Sequence, residues 1–428
     1  MADFGYKTRI YDDVLKNKLK SSSTVLIQGP KWCGKTTTAE QQAQSMLYMS
    51  DPDNLSKNLL LASTNVKSLL VGAVPRLIDE WQVAPQIWDA ARFESDHRKD
   101  VGQFILTGSA VPPMTDKIQH TGTGRIARMT MRTMSLWESG ESIGTVSLQS
   151  LFEKEGAPIF SDCNVGLEDI AFYICRGGWP MAATVLKGAD ALETAFSYYD
   201  AIAEHDISRA DSVRRSPVRV RKLMRSLARH QGTQTSLAVI RSDMISNDSN
   251  ALDEDTVASY VDAMKKIFVI EDMEAWNPNL RSKSAIRTTD TRYYTDPSIA
   301  VAALGIGPND LLNDLNTMGL LFETMAVRDL RVYADAINGN VYHYRDNNGL
   351  ECDAVVHLSN GHYGLVEIKL GGDKLIDEGI ASVNRLASKI DTTKMYPPSF
   401  KMVLTAVGNM AYLHDSGVYI VPIGCLKP

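Results

Sequence analysis

Gly29-Pro30-Lys31-Trp32-Cys33-Gly34-Lys35-Thr36 follows the apolar run Ser23–Gln28 (STVLIQ) and precedes a helix-like stretch, Thr37–Met46. The eight residues fit GxxxxGK[ST] in full, and strand, loop, helix is the context in which that motif carries its chemistry. The glycines let backbone N–H groups curl around phosphates. Lys35 neutralises β- and γ-phosphate charge, and Thr36 offers its hydroxyl to Mg²⁺. The helix that follows points its N-terminus at the anion. Gly29 to Thr36 and the adjoining Thr37 are therefore the expected nucleotide-binding residues, with ATP and Mg²⁺ as cofactors.

Working outward, Ser45–Met49 reads as a second strand. Arg76–Ile78 leads into Asp79 and Glu80, and Gln103–Leu106 leads into Thr107-Gly108-Ser109. Short apolar strands alternating with helices predict an α/β fold with a parallel sheet. In this order after a phosphate loop, the acids and hydroxyls fall at one edge of that sheet. Asp79 is expected to hold Mg²⁺ through water, and Glu80 to activate the attacking water. Thr107 and Ser109 are expected to sense the γ-phosphate.

Composition bounds the rest. With 428 residues the chain is long enough for two to four domains, and 44% apolar residues suit packed cores. A net charge of −6 excludes an all-over basic coat but not a local basic patch. No apolar run reaches the roughly 18 residues of a membrane span. The start, MADFGYKTRIYDD, lacks the apolar segment of a signal peptide, so a cytoplasmic protein without a membrane partner is expected. Five scattered cysteines at 33, 163, 175, 352 and 425 form no ligand or disulfide pattern and read as reduced thiols.

Asp79-Glu80-Trp81-Gln82 with Pro85, then LTGSA, then Gly122–Arg128 (GTGRIAR) and MRTMSLWESGES, resembles a group of prokaryotic AAA-type ATPases. The resemblance implies an additional-strand P-loop core and a helical region containing Gly177-Gly178-Trp179-Pro180. It also implies a winged-helix-like segment and a C-terminal α/β domain related to restriction endonucleases; the middle third matches mainly through Arg292-Tyr293-Tyr294 and Asp296. The expected divisions are 1–170, 171–305 and 306–428. Adenine as the base comes from the resemblance alone. Arg125 and Arg128 are candidates for a charge that reaches the γ-phosphate, in cis or from a neighbouring subunit; the alternative is a solvated basic turn.

In the middle third, Ala191–Ile207 and Asp253–Ile267 have helical patterning. Eight basic residues fall between Arg209 and Arg229. Arg214, Arg215, Arg219, Arg221, Lys222 and Arg225 are expected to contact DNA phosphates, and a winged helix could lay a helix in the major groove. A solvated helix face or an interdomain contact is the alternative.

Toward the C-terminus, Glu351–Leu358 (ECDAVVHL) and Tyr363–Leu370 (YGLVEIKL) are strand-like, around the turn Ser359-Asn360-Gly361-His362. A turn centred on Asn360 sets Asp353 opposite Glu367, with Lys369 on the same face. Glu323 stands in the apolar helical run GLLFETMA, where an unpartnered acid is costly. This set resembles the restriction-endonuclease-like Glu, Asp and Glu-x-Lys. The resemblance makes Glu323, Asp353 and Glu367 metal ligands and Lys369 the residue that positions or activates water. Three functions remain open: an ATPase acting on DNA with a nuclease module, a nucleotide-dependent switch whose C-terminal domain only binds partners, and an ATPase with a protein partner.

Overall fold

A computed structural model describes residues 5–109, 123–154, 156–211, 213–245, 252–279 and 286–428. Ala110 and Gly122 of the quoted motifs lie outside these. The chain forms two compact units. One comprises residues 1–133, 201–217 and 259–269; the other comprises 134–200, 218–258 and 270–428.

The first unit is built on strands β1 (Thr24–Gln28), β2 (Ser45–Tyr48), β3 (Arg76–Asp79), β4 (Phe104–Gly108) and β5 (Ile126–Thr130), in the order β2-β3-β4-β1-β5. Every pairing is parallel. All five C-terminal ends therefore emerge at one edge, the usual ligand edge of such sheets. β4 lies between β1 and β3, which is the additional strand. Leu26, Ile78, Phe104 and Leu106 pack on Trp81, Ile87, Trp88 and Ala91 from the loop and helix after β3. The helix after the phosphate loop spans only Lys35–Glu40, ending six residues before the expected Met46. The chain must turn there so that Ser45 can pair with Arg76 at the start of β2.

The second unit adds β6 (Val146–Ser147), β7 (Phe160–Asp162) and an antiparallel pair, β8 (Ile270–Met273) with β9 (Thr291–Tyr294). It also holds β10 (Gly339–Arg345), β11 (Glu351–Leu358), β12 (Tyr363–Lys369), β13 (Phe400–Thr405), β14 (Met410–Leu413), β15 (Tyr419–Pro422) and β16 (Leu426–Lys427). Seven of these make one mixed sheet, β10-β11-β12-β13-β15-β14-β7. β7 pairs with β14, and β6 pairs with β16. Residues grouped with the ATPase segment by sequence thus complete C-terminal sheets, while 201–217 and 259–269 belong to the compact unit of the phosphate loop.

The Gly-Gly-Trp-Pro stretch has a structural task in this unit. Asp296 accepts from the Gly178 N–H at 2.9 Å, and the Trp179 indole donates to Ser298 at 3.0 Å. Arg328 pairs with Asp296 at 3.1 Å and with Asp329 at 2.7 Å. Asp329 in turn accepts from the Leu136 N–H at 3.0 Å. A side chain at Gly178 would overlap the Met134 carbonyl oxygen. The three charged side chains are 0–3% exposed. Arg328→Ala leaves two buried carboxylates uncompensated, so urea denaturation should show a loss of about 3–5 kcal/mol.

All five cysteines are buried free thiols. Among the described residues, no helix is long and apolar enough to cross a membrane.

Candidate functional site

In the first unit, the loop between β1 and the helix Lys35–Glu40 takes backbone conformations that favour glycine, with φ of 150° at Gly29 and 100° at Gly34. A Cβ at Gly29 would overlap the Met131 carbonyl oxygen. Trp32 also has positive φ, 64°, and its side chain projects outward with 52% exposed. Cys33 is fully buried, and its carbonyl oxygen accepts from the buried Arg9 guanidinium at 2.9 Å. Arg9 also donates to the Arg132 carbonyl at 3.1 Å, bracing the loop from behind. Lys35 is buried, and its ammonium donates to the carbonyls of Gly29 (3.0 Å) and Pro30 (2.7 Å), within the curl of the loop. Thr37 is exposed on the first helical turn.

The strand ends supply the acids. Asp79 Oδ1 accepts from both the Thr36 and Thr107 hydroxyls at 2.6 Å. That ties phosphate loop, β3 and β4 together through one carboxylate. A threonine hydroxyl and a carboxylate so placed are the oxygen donors that suit Mg²⁺ shared with a phosphate. Glu80 follows in the left-handed region, φ 56°. Its carboxylate accepts from the Gln82 side-chain amide and, at 3.5 Å, from Ser109. Burial pushes the Glu80 carboxyl above its ordinary range and Asp79 adds to the rise, while Lys35, Gln82 and Lys31 oppose it. A carboxyl raised toward neutrality is better matched to taking a proton from water. The residues expected here, Lys35, Thr36, Asp79, Glu80, Thr107 and Ser109, are brought together.

Arg125 is not among them. It pairs with Asp96 and immediately precedes β5, whose first residue Ile126 pairs with Thr24 at the start of β1. The phosphate loop leaves from the other end of β1, roughly 15 Å along the sheet. Arg128, midway along the edge strand β5, pairs with Leu26 and stacks over Trp88 at 5.4 Å. The expectation that either arginine meets the phosphate loop of its own chain is corrected: parallel strands put Arg125 at the opposite end of the strands and Arg128 midway along them.

In the second unit, β11 and β12 pair with Ala354↔Val366 and His357↔Tyr363, the register of a turn centred on Asn360. Asp353 and Glu367 lie one step beyond the last of these pairs. Asp353 Oδ2 accepts from the Ile368 N–H at 2.7 Å and from Lys369 at 3.1 Å. Lys369 also donates to Glu367 Oε2 at 2.6 Å. Glu367 is 4% exposed, and its Oε1 is buried with no hydrogen-bond partner. The nearby Ser382 hydroxyl donates to the Glu351 carbonyl instead. Burial, then Asp353, raises the Glu367 carboxyl, with Lys369 opposing. Lys369 is raised above its ordinary range: burial lowers it, and the two carboxylates outweigh that.

Glu323, on the helix Leu315–Ala336, accepts from the Tyr293 hydroxyl of β9 at 2.7 Å. Burial and the charge of Asp353 raise its carboxyl. Among the described residues, no three His, Cys, Asp or Glu side chains stand ready to hold a metal ion. The expected triad of Glu323, Asp353 and Glu367 is therefore corrected. The Lys369 ammonium bridges the two strand carboxylates, and Tyr293 engages Glu323. Two carboxylates with one orphaned oxygen still fit Mg²⁺, which commonly takes one or two carboxylates and completes its shell with water and phosphate. In the sequence Tyr293 stands out only as part of a motif; nothing in its spacing points to Glu323.

The basic segment is also revised. Arg215 is buried, with its guanidinium on both Asp211 oxygens (2.6 and 2.7 Å) and on Ser259, so it is corrected from DNA contact to a structural clamp. Arg221 pairs with Asp200 at 3.0 Å. Arg214 and Arg225 are exposed, and Arg219 and Lys222 partly so.

Residues 21–139 match the family described as AAA domain. Residues 167–310 and 318–426 match two families described as Domain of unknown function, DUF8612 and DUF4143. No curated protein matches. Among solved structures, the Walker-type ATPase PABY2304 of Pyrococcus abyssi is 15% identical, covering 70% of this chain and 99% of that one, with a TM-score of 0.41. The Aeropyrum pernix ORC1 protein in complex with DNA is 10% identical over 71% of this chain and 91% of that one, TM-score 0.26. The AAA match, the parallel sheet and the phosphate loop together identify a nucleotide-binding ATPase module.

Proposed function

We propose that this ATPase module serves a metal-dependent phosphodiesterase acting on nucleic acid, with the second active site on the β11–β12 hairpin of a restriction-endonuclease-like domain. The observation that carries this reading is the cluster Asp353, Glu367 and Lys369, drawn together on a buried hairpin with one Glu367 oxygen unpartnered. What separates this cluster from the fully paired Arg328, Asp296 and Asp329 is that Glu367 is 4% exposed with one oxygen unpartnered, and a buried unpaired oxygen is costly unless a further group engages it.

At the ATPase site, Lys35 and the loop N–H groups hold the β- and γ-phosphates, and Thr36 and Asp79 hold Mg²⁺, which offsets phosphate charge when bound. Glu80, oriented by Gln82 and Ser109, takes a proton as water attacks the γ-phosphorus and ADP leaves. At the second site, Asp353 and Glu367 hold Mg²⁺, and Lys369 positions the attacking water against the phosphodiester. Glu323 orders the site through Tyr293. A second reading, a switch with an inactive C-terminal domain, is favoured by the Tyr293–Glu323 bond, which occupies the third acid.

The helices Pro217–Arg229, Leu237–Ile245 and Glu254–Lys266, followed by the β8–β9 pair, run in winged-helix order. The exposed residues of Glu254–Lys266 include Glu254, Asp255 and Asp262, next to exposed Asp253. That acidity disfavours a place in the major groove, so the DNA contact is read as phosphate binding through Arg219 and Arg225 of the helix Pro217–Arg229. In gel-shift titrations the log–log salt slope should be about −0.9 per phosphate contact, and neutralising these two should flatten it by about 1.8. Binding indifferent to salt and to the two substitutions would refute the DNA interface.

A further inference from the structure

Lys31 is the lysine of the phosphate loop that the motif leaves without a task. Its ammonium lies 2.6 Å from Asp206 Oδ1, with the side chains 42% and 11% exposed. The same charge acts on Glu80, whose carboxyl it helps to pull down. Lys31 therefore stands within the field of the reacting end of the sheet while tied to a residue 175 positions away.

Asp206 closes a π-helical turn, Ile202–Asp206, between the helices Gly188–Ala201 and Ile207–Arg209. Such turns are rare and recur at functional sites. The chain beyond Asp206 is firmly braced. Arg215 donates to the Ile207 carbonyl (3.3 Å), to both Asp211 oxygens, and to the Ser259 carbonyl (3.1 Å) and hydroxyl (2.9 Å). It also stacks over Tyr260 at 5.4 Å. Asp206, Ile207, Asp211, Arg215, Ser259 and Tyr260 fall in the compact unit of the phosphate loop. Arg215 thus links Ile207, the residue after Asp206, to residues 259 and 260.

We propose that Asp206 is a positioning residue for the ATPase: it holds Lys31 in an ion pair for which the γ-phosphate of ATP competes, so that triphosphate binding releases segment 201–217 from the phosphate loop. Attraction between unit charges grows as they approach, and the γ-phosphate brings the added negative charge that ADP lacks. Lys31 then turns from Asp206 to phosphate, and the segment registers ATP against ADP. The proposal rests on the loop binding ATP.

The test uses the full chain with Asp206→Asn, Asp206→Glu and Lys31→Met, each checked by thermal melting. Equilibrium binding of ATP and of ADP is measured beside hydrogen exchange over 201–217. Asp206→Asn should bind ATP about two- to fivefold tighter than wild type, the size expected for removing a half-exposed ion-pair competitor. ADP affinity should change less, and Asp206→Glu should behave as wild type. ATP should raise exchange over 201–217 in wild type. In Lys31→Met that exchange should already be raised and indifferent to ATP, and this variant serves alone if Asp206→Asn does not fold. A purely structural Asp206 would weaken binding on substitution; weaker or unchanged ATP binding by folded Asp206→Asn, or wild-type exchange indifferent to ATP, overturns the proposal. A wild type that binds neither nucleotide overturns the phosphate-loop reading and the proposal with it; binding without the exchange response overturns the proposal alone.

Discussion

Glu80→Gln is expected to bind ATP as wild type does while its turnover falls by about 10²–10⁴, the range for losing a positioned general base. The amide keeps the shape of the carboxylate and its contact with Ser109, but it cannot accept the proton. Lys35→Ala is expected to abolish binding instead, because its ammonium is the buried cation inside the curl of the loop. Steady-state hydrolysis and equilibrium binding on the same preparations separate the two. The pH profile follows from burial, which raises the Glu80 carboxyl. A raised acid takes up its proton at a higher pH than an ordinary carboxyl, so turnover should fall on acidification earlier than an ordinary carboxyl would dictate. Wild-type turnover in Glu80→Gln would remove Glu80 from the mechanism.

Asp353→Ala and Lys369→Ala are each expected to eliminate Mg²⁺- or Mn²⁺-dependent plasmid cleavage, with a loss of at least about 10²-fold. Asp353 accepts from both Ile368 N–H and Lys369, so its removal deprives a prospective cation of a ligand and the ammonium of its partner. Lys369→Ala leaves two closely set carboxylates without the cation that bridges them. Cleavage that survives both substitutions comes from elsewhere. Absence of cleavage of every DNA and RNA form in the wild type would favour the switch reading.

The phosphate site was legible because its residues are nearly contiguous, and each is demanded by one chemical task. Asp79, Glu80 and Thr107 were legible because strand ends in a parallel sheet share an edge. Asp206 was not, since nothing local marks a partner 175 residues away. A role for Arg125 at the phosphate loop of its own chain could not be excluded from sequence for a related reason: a glycine-rich run with arginines looks the same at either end of a strand, and only the register Thr24↔Ile126 reveals the end. The hairpin register could be read because a short polar turn fixes its own centre. The metal triad could not, because the engagement of Glu323 by Tyr293 is a tertiary contact from β9. Strands of two and three residues, β6 and β7, are too short for alternation to register, so their pairing with β16 and β14 could not be read. The basic count between Arg209 and Arg229 was sound, but charge alone did not reveal that Arg215 is clamped inside.

ATP turnover by the full chain in Mg²⁺, measured alone and with double-stranded or single-stranded DNA, tests most directly whether the ATPase and the nucleic-acid function belong to one machine. Turnover that depends on Mg²⁺ and Lys35 and rises when DNA is added is the expected result. Turnover identical with and without either form of DNA, or no turnover at all, contradicts it.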